Sequence, residues 1–384
     1  MKYWVWLQCC LRFGNPRVTA VLDAFGDAVS VFNADREKLE NSRLFTKSEL
    51  ERLFDKSLKE AENILAECKK NNIGILTFAD KAYPDLLRNI PDFPIVLYYK
   101  GELPNFNAIP TVCIVGPREC SDFGIKAAYS LSARLSRGGI TVISGGAKGV
   151  DAAAHNGALH ENAKTVAFLP CGIGFDYLKA NEALRQQIVK SGCLISEFPP
   201  NYPLKTGAFQ IRNRLMSGVT LGTVVIEADE RSGALITARC AAEQGRDVFV
   251  VPGNPTLPQY KGSNLLLRDG AKPLLSAMDV FEEYLCMFGD KLDTKKAFET
   301  AYKSEQLNND NNKDANSSAT EIKQIKNVSA VAEAIYTSAP QSAFCIDELS
   351  VFNDYNASEL MTALAELELF GYIKAVPGGR YERI

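Results

Sequence analysis

The segment TVISGGAKGVDAAAH, residues 141–155, combines a short apolar run with a glycine-rich turn and an alanine-rich run. The pattern predicts a buried strand over residues 141–144 that leads through the turn into a helix. Backbone N–H groups in such a turn and the positive end of the helix face one point, which makes a natural anion site. Gly145, Gly146 and Lys148 are therefore candidate anion-binding residues.

Cationic and polar residues also follow other predicted strands. Gly116 and Arg118 come after TVCIVG, the loop PPNYPLKTGAFQIRNR comes after LISEF, and DERSG comes after TVVIEA. A single arginine in such a place is usually a solvated loop charge, but several together beside a glycine turn indicate a phosphate site. The candidate binding residues are Gly116, Arg118, Gly145, Gly146, Lys148, Lys205, Phe209, Arg212, Asn213, Arg214 and Ser232.

An aromatic residue stands among these cations. Phe209 lies between Lys205 and the two arginines of the predicted loop. Cations that follow a phosphate backbone, combined with a ring on which a base can stack, are typical of a surface that binds single strands. Packing of Phe209 on its own domain is an equally good interpretation at this stage. Glu197, Glu227, Asp229 and Glu230 follow the same strands and can pair with some of the cations.

The elements that position these residues alternate regularly from residue 111 onward. Six apolar segments, each followed by a helical pattern, predict the strands TVCIVG, ITVISGG, TVAFLP, GCLISEF, TVVIEA and DVFVVPG. Unbroken apolar strands separated by helices indicate a parallel sheet buried on both faces. The expected fold is α/β, a Rossmann-like, doubly wound, mostly parallel sheet. Ligands bind outside the carboxyl ends of the strands in such folds.

The remaining chain divides into three further parts. Residues 1–100 predict a helical domain, of a sterile-alpha-motif or helix-hairpin-helix type, with a short strand near residues 95–99. The Rossmann-like domain then covers residues 101–288. Residues 289–327 are rich in Asn, Asp, Lys and Ser and predict a disordered linker. Residues 328–384 predict a winged helix, with helices near 328–338, 345–351 and 356–369 and a terminal hairpin.

Composition and charge narrow the function. The chain has 384 residues and a net charge of −3, which disfavours a protein that coats duplex DNA electrostatically. Residues 111–285 carry 18 basic and 16 acidic side chains, whereas residues 328–384 carry 3 and 8. The acidic C-terminal segment is therefore not expected to be the main DNA contact. No apolar run has the length of a membrane span, and the sequence predicts a cytoplasmic protein.

Metal binding and catalysis have little support in the sequence. The ten cysteines form no CxxC pair and are interpreted as reduced thiols. His155 and His160 are poorly spaced to share a metal, and His155 with Asp151 indicates a helix-capping network rather than a catalytic pair. The glycine turn does not match the phosphate-binding loop of ATPases, and CGIGFD lacks the third glycine of a dinucleotide site.

The motifs resemble one family closely. SGGAKGVDAAAHNGAL, FQIRNRLMSG, VIEADERSGALITARCAAEQGRDVFVVPG and GSNLLLRDGA occur in the order seen in the DprA/Smf family of DNA-processing proteins. The resemblance implies a protein that binds single-stranded DNA without sequence preference, protects incoming DNA and loads the RecA recombinase in natural transformation. It also implies a homodimer formed through the Rossmann-like core, no catalytic activity, no metal and no cofactor. The Gly-Ser-Arg turn of the family reads Gly116-Pro117-Arg118 here.

Two other functions remain open at this stage. Rossmann-like nucleotide phosphoribohydrolases also hold a phosphate on a glycine turn, within a PGGxGTxxE motif whose glutamate performs the chemistry. The segment SGGAKGVDAA lacks both the threonine and the glutamate of that motif. A protein-interaction scaffold is the third possibility, and mutation of the basic residues distinguishes it from a DNA-binding protein.

Overall fold

The computed structural model describes residues 1–298, 328–339, 344, 355, 357–376 and 380–383. The chain separates into two compact units, Met1–Thr300 and Ala301–Ile384. Within the described part of the chain, no helix has both the length and the apolar character needed to cross a membrane.

The first unit begins with the predicted helices. They are α1 (Lys2–Leu11), α2 (Val18–Phe25), α3 (Ala28–Asn33), α4 (Arg36–Asn41), α5 (Lys47–Asp55) and α6 (Lys59–Lys70), and the short α7 (Asp85–Arg88) follows. Helix α1 is buried along almost its whole length. Its Gln8 side chain donates to the carbonyl oxygens of Val96 and Glu197, each at 3.0 Å. This polar group is paired inside the core, so α1 is fixed against the sheet.

A nine-stranded sheet forms the centre of the first unit. Its strands are β1 (Gly74–Thr77), β2 (Val96–Gly101), β3 (Thr111–Val115), β4 (Thr141–Ser144), β5 (Thr165–Phe168), β6 (Cys193–Ser196), β7 (Gly222–Val225), β8 (Asp247–Val250) and β9 (Lys272–Pro273). Their order is β1-β2-β6-β5-β4-β3-β7-β8-β9. The seven strands β6-β5-β4-β3-β7-β8-β9 pair with their neighbours in parallel, whereas the pairs β1–β2 and β2–β6 are antiparallel. The predicted α/β class and all six predicted strands are confirmed.

Helices cover both faces of the parallel strands. They are α8 (Asp122–Arg137), α9 (Val150–His160), α10 (Glu182–Ser191), α11 (Ala208–Gly218), α12 (Gly233–Glu243), α13 (Lys261–Arg268), α14 (Met278–Phe288) and α15 (Thr294–Phe298). Apolar residues of α8, α9, α14 and α15 pack together on one face. Those of α11 and α12 share the other core with the N-terminal helices. One continuous core therefore joins the predicted N-terminal domain to the sheet, while the four-part domain division stays a prediction.

Residues 289–298, predicted as the start of the linker, pack within the first unit instead. Residues 294–298 form α15, whose Ala297 is buried, and Leu292 is also buried in the core. The backbone N–H of Asp293 donates to the carbonyl oxygen of Gly138 at 3.0 Å. The linker prediction is therefore wrong for this stretch, because two apolar side chains among the polar ones are enough to attach it to the sheet. Residues 299–327 lie outside the described residues.

The second unit contains part of the predicted winged helix. Helices α16 (Ala330–Ser338) and α17 (Ala357–Leu369) pack around a small apolar core. Strands β10 (Ile373–Val376) and β11 (Arg380–Arg383) form an antiparallel pair. The predicted middle helix, residues 345–351, lies outside the described residues, so the winged helix stays a prediction.

Candidate nucleic-acid interface

The carboxyl ends of β3 and β7 lie side by side at the point where the strand order reverses. From β3 the chain continues through β4, β5 and β6 on one side, while β7, β8 and β9 lie on the other. Connections leave such a point in opposite directions, which opens a crevice where ligands bind in this class of fold. The crevice here is an open pocket of about 480 Å³, which we call the switch-point pocket.

Six of the eleven candidate residues line the switch-point pocket. They are Gly116, Arg118, Phe209, Arg212, Asn213 and Ser232. The acidic side chains of Glu119, Asp151 and Asp229 also line it. A pocket of this size with a few convergent polar groups has the form of a ligand site.

An aromatic ring and two guanidinium groups form the basic part of the pocket. The Cζ atom of Arg118 lies 4.7 Å from the ring centroid of Phe209, and the Cζ atom of Arg212 lies 5.9 Å from it. Arg118 is exposed, Phe209 is half-buried and Arg212 is 5% exposed. Two cations beside one ring match both parts of a nucleotide, because phosphate binds the guanidinium groups and a base stacks on the ring.

Helix α11 carries three of these residues, although the sequence predicts a loop there. The helix begins after Gly207, whose φ of +83° is a left-handed conformation that favours glycine. Phe209, Arg212 and Asn213 follow at the i, i+3 and i+4 spacing that places side chains on one face of a helix. The loop assignment is therefore wrong, since the helix that follows this proline-rich segment is fixed by packing against the sheet.

Arg212 is a buried cation without a close carboxylate partner. Its Nη1 atom donates weakly to the carbonyl oxygen of Phe168 at 3.4 Å and lies 3.2 Å from the sulfur of Met216. The nearest carboxylate oxygen, on Asp151, is 4.0 Å away, and Nε has no partner among the described residues. Burial lowers the pKa of Arg212, and Asp151 opposes that shift. Since a buried charge is costly without a good partner, an incoming anion would stabilise this side chain.

The glycine turn is filled by the protein's own acid. The Asp151 carboxylate accepts from the backbone N–H of Ala147 at 3.3 Å, and the N–H of Val150 donates to the carbonyl oxygen of Pro117. Burial raises the pKa of Asp151, while Arg212 lowers it. The prediction that free amides of this turn hold an external anion is wrong for Ala147 and Val150. The anion beside the turn is the side chain of Asp151.

The turn glycines serve packing instead. Gly145 and Gly146 are buried and do not line the switch-point pocket. A Cβ atom on Gly145 would lie 1.4 Å from Nη1 of Arg212, and one on Gly149 would lie 2.4 Å from the carbonyl oxygen of Pro117. Only glycine lets the Arg212 guanidinium and the loop of Arg118 approach this closely. Gly116 has a similar role, because a Cβ there would overlap Val150.

Arg214 lies on the opposite side of α11 from the pocket. It is 5% exposed and forms ion pairs with Glu197 and, at 3.1 Å, with Asp92. Glu197 also accepts from the backbone N–H of Gly14 at 3.1 Å. Burial raises the pKa of Glu197, and Arg214 opposes that shift. The structure therefore does not bring Arg214, a candidate binding residue, to the switch-point pocket but places it in a buried ion pair.

The other candidate residues have more ordinary positions. Lys148 and Lys205 are exposed and do not line the pocket, and Lys205 Nζ lies 4.8 Å from the ring centroid of Tyr202. Ser232 caps α12, its Oγ accepting from the backbone N–H of Ala234 at 3.3 Å. Asn213 donates weakly to the carbonyl oxygen of Gly233 at 3.5 Å. The Asn213 hydrogen bond attaches α11 to the first residue of α12, next to the loop that follows β7.

No catalytic pair forms between Asp151 and His155. His155 is completely buried, and its Nδ1 atom is paired with the hydroxyl of Thr165 at 2.8 Å. Burial lowers the pKa of His155 to about 3, so the imidazole is neutral at physiological pH. This histidine is part of the core between α9 and β5.

Glu227 was expected to pair with cations but holds a loop instead. It is completely buried, accepts from the backbone N–H of Ser121 at 3.1 Å and from the hydroxyl of Tyr260 at 3.0 Å, and is also bonded to the Ser121 hydroxyl. Ser121 is the N-cap of α8. Glu227 thereby fixes the loop that carries Arg118. The only sequence feature that indicates a role for Glu227 is its position just after a buried strand.

Comparison with known proteins agrees with this fold. The model of the DNA recombination-mediator protein A family matches residues 74–285, and the chain belongs to this family. Protein Smf of Synechocystis is 31% identical over 83% of this chain and 82% of its own length. DNA processing protein DprA of Streptococcus pneumoniae is 40% identical over 53% of this chain and 72% of its own length.

Solved structures give the same result. The X-ray structure of DprA from S. pneumoniae covers 74% of this chain and 98% of its own, with a TM-score of 0.65 and 31% identity. A structure of DNA processing protein A from Helicobacter pylori, described for its unique single-stranded DNA binding mode, covers 56% of this chain and 96% of its own. Its TM-score is 0.51 and its identity is 27%.

Proposed function

We propose that this protein binds single-stranded DNA without sequence preference through the switch-point pocket, protects incoming DNA and loads the RecA recombinase in natural transformation. The observation that carries the proposal is Arg212, a buried guanidinium whose nearest carboxylate oxygen is 4.0 Å away. A backbone phosphate would complete its ion pairing, together with the exposed Arg118, whose guanidinium also lies beside the ring of Phe209.

The geometry favours single strands over duplex. A duplex keeps its bases stacked inside, so a half-buried ring such as Phe209 can stack only on a base that is free. The pocket also offers few cations, whereas proteins that hold duplex DNA neutralise many phosphates at once. The H. pylori relative, described for its single-stranded DNA binding mode, supports this choice.

Binding without chemistry fits the site better than hydrolysis does. The glycine turn carries no glutamate, Asp151 is engaged by the turn and by Arg212, and His155 faces Thr165. A nucleotide phosphoribohydrolase needs a free carboxylate at this position, and a pure interaction scaffold gives no reason for an unsatisfied arginine in a pocket. We therefore propose a binding protein rather than an enzyme.

The remaining parts of the proposal rest on family membership. We propose that the protein acts in the cytoplasm as a homodimer through its Rossmann-like domain and passes the bound strand to RecA. Light scattering measures the dimer, and a strand-exchange assay with RecA on DNA covered by single-strand binding protein measures the loading.

The central test compares oligo-dT with a duplex of equal length by fluorescence anisotropy at two salt concentrations. We expect the single strand to bind at least tenfold more tightly, because only it offers free bases. We also expect log K to fall linearly with log salt, with a slope near −0.7 for each phosphate neutralised. Equal affinity for both forms, or binding that ignores salt, contradicts the proposal.

Removing the acidic C-terminal unit is expected to leave DNA binding intact. Residues 328–384 carry 3 basic and 8 acidic side chains, so this segment repels phosphate. The truncation has to keep α15, because Leu292 and Ala297 are part of the core. A chain that ends after residue 300 should bind oligo-dT as tightly as the full chain or more tightly. A tenfold loss, about 1.4 kcal/mol, would assign the DNA contact to the removed part.

A further inference from the structure

A second aromatic ring lies next to the switch-point pocket. The ring centroid of Tyr177 is 6.3 Å from that of Phe209, and the two planes are tilted by 60°. Tyr177 is half-buried, so part of its ring is open to solvent. It also lines a neighbouring cavity of about 190 Å³, together with Phe175, Arg185 and Gln186. Tyr177 thus stands between two cavities, with Phe209 lining the first of them.

The loop that carries Tyr177 is held in an unusual conformation. Leu178 has φ +53° and ψ +61°, a left-handed conformation that is unfavourable for a leucine. Its carbonyl oxygen accepts from Arg185 Nη1 at 3.2 Å and from the backbone N–H of Asn181 at 2.9 Å. The side-chain amide of Asn181 (Nδ2) in turn donates to the carbonyl oxygen of Gly146 at 3.0 Å. The strained turn is therefore tied to the glycine turn, which fixes Tyr177 relative to the site.

Charges of both signs surround Tyr177, because Asp151 lies in electrostatic range and Asp176 and Glu182 line the neighbouring cavity. Burial raises the pKa of the Tyr177 hydroxyl, and the nearby Arg118 and Arg212 lower it in part. The hydroxyl is therefore neutral at physiological pH and adds no negative charge that would repel a phosphate. The same two guanidinium groups that lie beside Phe209 also lie within electrostatic range of Tyr177.

We propose that Tyr177 is a second base-stacking residue, which takes the base next to the one that stacks on Phe209. A base held between two rings needs ring planes that are nearly parallel, since a base stacks face to face on an aromatic ring. The tilt of 60° excludes such a slot and gives each ring a base of its own. The phosphate between the two bases then lies near Arg118 and Arg212. This inference rests on the proposed function and adds a residue to its site.

The test separates base contacts from phosphate contacts. Oligo-dT and an abasic oligonucleotide of equal length are titrated against the wild type, Tyr177→Leu, Tyr177→Phe and Tyr129→Leu. Tyr129 is an exposed tyrosine on α8 and serves as the matched control. We expect Tyr177→Leu to bind oligo-dT about tenfold more weakly and the abasic strand within twofold of the wild type, since stacking requires a base. Tyr177→Phe and Tyr129→Leu should bind both strands like the wild type.

Other outcomes overturn the inference. Equal losses of Tyr177→Leu on both strands would assign Tyr177 a structural role, and unchanged binding to oligo-dT would remove it from the site. If Tyr177→Leu does not fold, cross-linking of 5-iodouracil DNA to the wild type decides, and cross-links at Phe209 without any at Tyr177 contradict the inference. A wild type that binds neither strand contradicts the proposed function itself.

Discussion

Arg214→Met is expected to lower the free energy of unfolding by about 3–5 kcal/mol, the usual cost of breaking a buried ion pair from one side. Glu197 would be left as a buried carboxylate, 3% exposed, without its cation. Asp92 is 28% exposed and can be hydrated again, so the cost comes chiefly from Glu197. Urea denaturation measures the change.

The pH dependence of this variant follows from the same carboxylate. Burial already raises the pKa of Glu197, and the loss of Arg214 raises it further. A carboxyl group whose pKa is higher in the folded state binds an extra proton when folded, so stability falls as the pH rises through that range. The loss in free energy of unfolding caused by Arg214→Met should therefore be smaller near pH 5 than near pH 8.

A second substitution provides the control. In Arg214→Met with Glu197→Gln, the buried charge is gone, and we expect most of the lost stability to return. Folded Arg214→Met should bind oligo-dT within about threefold of the wild type, because its side chain faces away from the pocket. Normal stability combined with a large loss of binding would mean that Arg214 contacts DNA after all.

Arg118→Ala combined with Arg212→Met is expected to weaken oligo-dT binding about 100-fold, roughly 2.8 kcal/mol. Hydrogen bonds to charged groups contribute about 1.5–3 kcal/mol each, and these two guanidinium groups flank the ring of Phe209. The slope of log K against log salt should become shallower by about 1.4, for two phosphate contacts on a single strand. Methionine at position 212 keeps most of the side-chain volume but removes the cation nearest the buried Asp151 carboxylate. Some stability should therefore be lost, and binding is measured where urea denaturation shows that the variant is folded.

A variant with the same loss of charge separates this effect from general electrostatics. Lys69→Ala with Lys190→Ala removes two exposed cations from the last turns of α6 and α10, outside the pocket. We expect its affinity for oligo-dT to stay within threefold of the wild type. If both double variants lose affinity equally, binding depends on overall charge and the pocket has no special role.

The amino-acid sequence alone was sufficient for the six consecutive parallel strands of the sheet and for the family, but not for β1 and β9. All six predicted strands are present, because a strand buried on both faces has to be apolar along its whole length and is easily recognised. The sequence also predicted that the candidate residues meet at one edge of the sheet, and six of them line the switch-point pocket there. The motifs that resemble the DprA/Smf family lie on the loops at that edge and on α9, α11, α12 and α13.

Only the tertiary structure decided what the individual charges do. Arg212 and Arg214 look equivalent in FQIRNR, but residues two apart on a helix point about 200° away from each other. The helix itself was missed, since it follows a proline-rich segment and forms by packing. One arginine therefore meets Glu197 in the core, and the other faces the pocket.

The occupant of the glycine turn was also decided only by the tertiary structure. A strand, a turn rich in glycine and a helix start are visible in the sequence, and their pattern indicates an anion. Which anion occupies the turn depends on the rotamer of Asp151 and on the space that Gly145 leaves for Arg212. Local sequence carries no information on such contacts across the sheet, because they form between segments about 60 residues apart that meet only when the core is packed.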